Sequence, residues 1–248
     1  MNFGDLTSYL ANYILRRPDL NAQPELLKLA VNVGHRQLQN DGDFRCMEAH
    51  TPIVYQNATS PYGIAMPAYS AGPPAVLPCK RLRNVWNTTG TTFTVSPAYI
   101  GTPIPTSPII PATESEVNNL ANIAQQTRGI IPSAATNTQR WFEKELQVCL
   151  FYPPATDSVL MVDYYGFLPN YVNPTDLDWF SENVWLCLLY CAAWQGSISL
   201  FEDQRAQSFM GIYQSLLTTA ISNDKMIKQG GMPQALVAPP TVAPQGAK

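Results

Sequence analysis

Twenty-two prolines sort this 248-residue chain into stretches that can be regular and stretches that cannot. Proline lacks an N–H and is excluded from helix interiors and from central strands. It clusters in three places: Gln56 to Pro78, with Pro61, Pro67, Pro73 and Pro74; Pro97 to Pro111; and the end of the chain after Asp224, with Pro233, Pro239, Pro240 and Pro244. The first two are predicted to be long loops and the last an extended tail. Loops of that length inside a compact domain usually serve a function or a partner.

Helical periodicity survives only toward the two ends. Leu6, Tyr9, Leu10, Tyr13 and Ile14 fall at i, i+3, i+4, i+7 and i+8, one stripe of a helix capped by Asp5 or a neighbour and stopped by Arg16-Arg17-Pro18. Pro24 to about Asn40 predicts a second helix, with Pro24 in the first turn and Leu26, Leu27, Ala30, Val31, Val33 and Leu38 in phase. Trp179 to Ile198, capped by Asp178 or Ser181, and Glu202 to Asn223 predict two more, packed as a hairpin.

Between them the period shortens toward two. Strands are predicted over Phe44 to Tyr55, Arg81 to Trp86 and Thr91 to Val95, the last two joined by a turn at Asn87-Thr88-Thr89-Gly90. Trp141 to Tyr152 and Ser158 to Tyr165 read as an antiparallel hairpin around Pro153 to Asp157. Thr113-x-x-Glu116 has the form of a capping box, opening a helix to about Gln126. The expected fold class is α+β: N- and C-terminal helices (1–43 and 174–224) form a helical bundle, an antiparallel β domain with long Pro-rich loops (44–173) is inserted between them, and 225–248 is an extended C-terminal tail.

Charge narrows the function. Only 13% of residues are charged and the net charge is −3, with no basic run denser than Lys80-Arg81-x-Arg83. A globular average is about 25% charged, so a surface this neutral suits a subunit covered by its neighbours. It argues against a dedicated nucleic-acid clamp. The longest apolar run, Val184 to Trp194, is short of the roughly 20 residues a membrane span needs and predicts a buried helix. Met1-Asn2-Phe3-Gly4-Asp5 has no export-signal pattern, which makes cytoplasmic expression the expectation. The five cysteines, Cys46, Cys79, Cys149, Cys187 and Cys191, are odd in number and scattered, and are expected as reduced, mostly buried thiols.

Residues able to do chemistry are sparse. His35 and His50 have no metal-ligand spacing around them, and Cys187 with Cys191 supply two ligands without companions. Asp176 and Asp178 precede a helix, where carboxylates serve as caps. Glu143 and Glu145 fit a solvated strand edge better than paired acids. No phosphate-binding glycine loop and no nucleophile elbow is present, so neither enzyme nor cofactor is expected. The Asn57-Ala58-Thr59 and Asn87-Thr88-Thr89 triplets carry no weight without an export signal.

The order of features nevertheless resembles one family. Helices like Leu6 to Arg17 and Pro24 to Asn40, then Phe44-Arg45-Cys46-Met47-Glu48 entering a β region, are followed by the Leu77-Pro78 step into Lys80 to Val85. Phe151 to Ala155 and Leu160 to Tyr165, then Leu189-Tyr190-Cys191-Ala192-Ala193 and Glu202 to Asn223, complete a layout that resembles the head-to-tail adaptor (connector) proteins of short-tailed phages. The resemblance implies a structural virion protein of the neck, assembled in the host cytoplasm: a homo-oligomeric ring, usually of twelve copies, between the portal protein and the tail nozzle or tube protein. Tail fibres are a further candidate partner. Genome DNA would pass through the central channel without specific binding, and no membrane is involved. The tail is expected to dock on the portal through Met232, Pro233, Leu236, Val237, Pro239, Pro240, Val242 and Pro244. A Pro-spaced extended peptide can lie across another subunit's groove.

Three alternatives remain open at this point. The chain could be another tail or head-completion component of a virion. Exposed Trp86, Trp141 and Tyr99 could make the β region a carbohydrate-binding module, against the reading of these rings as core. An enzyme using Glu143, Glu145, Asp176 or Asp178 is the third.

Overall fold

The computed structural model describes residues 1–56, 64–66, 76–90, 92–93, 99–119, 139–144, 147–151 and 156–228. The chain divides into two compact units, Met1–Cys46 with Leu168–Lys248, and Met47–Phe167.

In the first unit, helix α1 spans Phe3–Tyr9 and is capped by Asn2, whose side chain accepts from the Asp5 N–H while Asp5 accepts from the Asn2 N–H. It passes into a π-turn over Leu10–Ile14, closed by Leu15 N–H to Leu10 O at 2.8 Å. One extra residue in that turn rotates everything after it. Leu10, Ala11 and Leu15 are therefore buried, and Tyr13, expected on the buried stripe, is 66% exposed. A 3-10 turn, Pro18–Ala22, leads into α2, Pro24–Asp41.

Helix α3 (Trp179–Asn183) and helix α4 (Trp185–Ser199) replace the single helix expected over Trp179 to Ile198. The break is at Val184, whose backbone is non-helical (φ −131°, ψ 27°). Helix α5 runs Asp203–Lys228, past the expected end at Asn223, so residues 225–228, expected in the extended tail, are helical and continue the helix. α4 packs against both α2 and α5, which is why it is apolar nearly all round, with Cys187, Leu188, Leu189, Cys191, Ala192 and Ala193 all buried. Phe44, expected in a strand, is not in one. It is fully buried, edge-on to Phe180 at 5.1 Å, and a 3-10 turn (Arg45–Met47) follows it.

In the second unit, strands β1 (Glu48–Tyr55), β2 (Ile64–Ala65), β3 (Cys79–Thr89), β6 (Ile104–Pro111), β7 (Arg140–Lys144), β8 (Gln147–Phe151) and β9 (Ser158–Gly166) form one sheet in the order β1-β9-β3-β6-β7-β8-β2; β4 (Thr92–Phe93) and β5 (Tyr99–Ile100) pair separately. Residues from all seven strands, among them Ile53, Ile64, Val85, Ile109, Val148 and Leu160, share one buried cluster. A sheet whose strands all supply one core has to curl around it.

Three expectations change here. The turn placed at Asn87 to Gly90 is mostly strand, because β3 continues to Thr89 with a register shift at Asn87/Thr88. The excursion Pro97 to Pro111 contains β6, antiparallel to β3; β7 joins β6 only at Ile110 and Pro111, so over Pro105 and Pro108 the strand has a partner on one side only among the described residues, where proline is tolerated. Trp141 to Tyr152 is not one strand of a hairpin with Ser158 to Tyr165. Its residues form β7 and β8, paired with each other, while β9 lies between β1 and β3. A strand as apolar as β9, with Val159, Leu160, Met161, Val162, Tyr164 and Tyr165 buried, is satisfied in the interior of a sheet.

A helix starts at 114, and the Thr113–Glu116 capping box is formed, with Thr113 N–H to Glu116 at 2.7 Å and Glu116 N–H to Thr113 Oγ1 at 3.3 Å. Its predicted continuation to Gln126, most of the Gln56 to Pro78 loop and the Pro153 to Ala155 turn lie outside the described residues. None of the helices described is long and apolar enough to cross a membrane.

Candidate functional site

Asp178 is the N-cap of α3, accepting the Ser181 N–H at 2.8 Å while Ser181 Oγ accepts the Asp178 N–H at 2.9 Å. Its remaining carboxylate capacity is used at long range. Oδ2 lies 2.8 Å from His35 Nε2 in α2, and Oδ1 accepts the hydroxyl of Tyr171. Gln39 Nε2 sits 3.2 Å from His35 Nδ1, and Gln39 Oε1 accepts the Leu168 N–H at 2.6 Å. A carboxylate only accepts, so the ring proton on Nε2 is directed at Asp178. Burial pushes the Asp178 carboxyl up, but the hydrogen bond and charge of His35, with the Tyr171 and Ser181 donors, hold it below its ordinary value. Burial, reinforced by the Asp178 charge, pushes the Tyr171 hydroxyl far up, so it stays a donor.

This cluster clamps the 168–178 segment to α2 and α3. Asn32 adds a reciprocal pair, donating to Tyr171 O at 3.0 Å and accepting the Tyr171 N–H at 2.9 Å. His35 is fully buried, with Tyr171 tilted 4.6 Å from its ring and Phe180 edge-on at 5.3 Å. Its placement is that of an architectural polar core. Spacing in sequence could not reveal it, because His35 and Asp178 are 143 residues apart.

Elsewhere the candidate residues have local structural partners. Asp176 accepts the Val172 and Asn173 N–H groups at 2.7 and 2.8 Å, which lowers its carboxyl. Glu143 accepts the Leu82 N–H at 3.3 Å, and Glu145 lies outside the described residues. Arg83 pairs with Glu48 at 2.8 Å, and Arg81 and Arg83 lie over the Tyr165 ring at 5.6 and 5.0 Å. Of the aromatics considered for sugar stacking, Trp141 is buried in the core cluster, in line with the reading of these rings as core and against the carbohydrate-binding alternative. Trp86 is half-buried and donates to Asp163 at 2.6 Å; the Tyr99 side chain lies outside the described residues. All five cysteines are free, with Cys149, Cys187 and Cys191 buried; burial, first of all, pushes the Cys79 thiol up to about 11 and Cys191 to about 12. Among the described residues no three His, Cys, Asp or Glu side chains converge as a metal would require.

What the first unit does offer is apolar surface. Leu26, Leu29 and Val33, at i, i+3 and i+7 of α2, are 47%, 60% and 40% exposed. They border an open pocket of about 150 Å³ lined also by Leu15, Leu20 and Leu200. Sequence periodicity placed Leu26 and Val33 in the core, but a helix with apolar residues on more than one face has some left over once its neighbour is packed.

The turn after α4 adds a second such feature. Glu202 N–H to Ser197 O at 2.9 Å and Phe201 N–H to Ile198 O at 3.1 Å close a Schellman motif. The residue after the C-cap in that motif is usually glycine, because its backbone is left-handed. Here it is Phe201, at φ 58° and 92% exposed. A bulky side chain in that conformation costs about 1–2 kcal/mol. Glu202 is held by Arg17 at 2.9 Å and Arg205 at 2.7 Å, so the turn is fixed and the ring projects from it.

The residues Met232, Pro233, Leu236, Val237, Pro239, Pro240, Val242 and Pro244 of the expected partner-binding tail lie outside the described residues.

No curated protein matches the chain. A family profile does: that described as SU10 adaptor protein, over residues 1–235, which takes in the polar core around Asp178, the curled sheet, the apolar pocket and the Phe201 turn. On that match the chain belongs to the SU10 adaptor protein family and is a structural virion protein, a head-to-tail adaptor of a short-tailed phage.

Proposed function

We propose that copies of this chain form a ring, of twelve in the family's usual arrangement, between the portal protein and the tail nozzle or tube protein, around a channel for the genome. The observation that carries the reading is the family match over residues 1–235. Three features support it. The packing of α4 between α2 and α5 fits a bundle of the terminal helices with the β region as an insertion. Exposed apolar residues on α2 and at Phe201 suit a subunit covered by neighbours. A net charge of −3 per copy makes a ring that repels DNA rather than gripping it.

The tail from 229 onward docks on the portal in this reading, through Met232, Pro233, Leu236, Val237, Pro239, Pro240, Val242 and Pro244, with Pro restricting the peptide before it binds and so reducing the entropy lost on docking. Native mass of the purified chain, alone and mixed with the portal protein of the same phage, tests the ring. A ring, free or formed only on the portal, is the expected result; a monomer indifferent to the portal rejects it. Removing residues 229–248 is expected to leave helical circular dichroism unchanged and to abolish attachment to the portal. Undiminished attachment would assign portal contact to the folded units instead.

A further inference from the structure

We propose that Phe201 of one copy inserts into the apolar pocket of a neighbouring copy, between Leu26, Leu29 and Val33 of its α2 and the end of its α4, and that this contact joins subunits of the ring. The inference rests on the ring reading and specifies the contact within it.

Two features of one chain answer each other. The pocket encloses about 150 Å³ behind leucine and valine side chains. An apolar cavity of about that size accommodates benzene, the side-chain ring of phenylalanine. Phe201 presents such a ring at 92% exposure from a turn that glycine would close with less strain. Keeping phenylalanine there brings the isolated chain both backbone strain and an exposed ring, and a contact made only in the assembly offsets both.

The charges beside the two features are complementary. Leu15, in the pocket wall, is followed by Arg16, and Phe201 is followed at one remove by Asp203. Both charges are exposed, and among the described residues neither has an ion-pair partner; Arg17 and Glu202, beside them, already pair within the copy. The turn that carries Phe201 is thus acidic where the segment beside the pocket is basic. Such rim charges favour the correct register and speed encounter. A buried aromatic anchor surrounded by near-neutral contacts is the usual centre of a protein interface.

The alternative occupants of the pocket are the chain's own tail and the portal protein. Three variants separate them from a second copy. Phe201→Gly is expected to raise the melting temperature of the unassembled chain by about 2–4 °C, because it relieves the left-handed strain. It is also expected to weaken self-assembly, followed by sedimentation velocity alone and with the portal protein, by about tenfold or more. Leu29→Asp, at an exposed position, is expected to weaken assembly similarly without lowering stability. A mixture of Phe201→Cys and Leu29→Cys chains, oxidised under assembly conditions, should give a cross-linked dimer well above that from either variant alone.

A native chain that never assembles overturns the ring and this contact with it. A native chain that assembles while Phe201→Gly assembles equally well overturns only the contact. If Leu29→Asp alone disrupts attachment, or the mixed cysteine variants cross-link no more than each does by itself, the pocket belongs to the tail or the portal and the inference falls.

Discussion

Replacing Asp178 with alanine should destabilise the chain by about 3–5 kcal/mol, the usual range for breaking a buried polar pair from one side. The size follows from what is left behind. His35 and Ser181 are fully buried and Tyr171 nearly so, and all three donate to this one carboxylate. Removing it strands the Tyr171 hydroxyl, the His35 ring proton and the Ser181 N–H, and opens the clamp on the 168–178 segment. Urea denaturation should show a lower midpoint with an unchanged slope. Asp178→Asn, which keeps one acceptor oxygen, should fall between. A loss under about 1 kcal/mol for Asp178→Ala would mean that water or a local shift replaces the carboxylate, and that the network is not what holds the segment.

The same group sets a pH dependence. Its folded-state pKa is lowered, so the folded chain releases this proton more readily than the unfolded chain does. Its contribution is therefore fully present above the unfolded carboxylate value of about 4 and is lost as pH falls through the lower folded value. Stability measured from pH 7 downward should decline in that window for the native chain, and less steeply for Asp178→Ala. Asp19 and Asp176 are shifted in the same direction. Both face water, so screening leaves Asp178 as the larger part.

Gly34→Ala should cost about 2–3 kcal/mol, against the gain of roughly 1 that alanine brings to an ordinary helix interior. A Cβ at position 34 would sit 2.7 Å from the backbone N of Ala192 and 2.8 Å from its Cα. Backbone atoms cannot swing aside as a side-chain tip can, so α2 and α4 would have to move apart along a contact that buries Val31, Leu38, Leu188 and Leu189. Thermal unfolding of the two proteins decides it. A neutral or stabilising result would show that the helices can separate at Gly34 without loss, and that the glycine is there for another reason.

Gly34 illustrates where legibility ended. A glycine inside Pro24 to Asn40 reads locally as a weak point, and only the crossing of α4 makes it a requirement. The same holds at the other positions that changed. Tyr13 and Leu15 exchange places because one π-turn shifts the phase of a stripe whose residues were correctly chosen as apolar. Pro105 and Pro108 ruled out a central strand, which is sound for a strand bonded on both sides, but β6 is bonded on one side over that length. Phe201 carries no sequence signal, since neither its left-handed backbone nor its exposure is periodic.

By itself the sequence determined what local physics controls: helix-forming periodicity at both ends, the proline at the start of α2, the Asp178 cap, the Thr113–Glu116 box and the β character of the middle. The order of these elements was enough to indicate the adaptor family. Tertiary structure alone decided which strands are neighbours, that β9 lies between β1 and β3, that His35 and Tyr171 meet Asp178, and that Leu26, Leu29 and Val33 stay uncovered while Leu27 and Val31 do not. Caps and periodicity act over three or four residues, where the chain itself fixes the distance. Strand pairing and burial are settled between segments that can lie more than a hundred residues apart, as β1 and β9 do, by competition for a partner that no local pattern names.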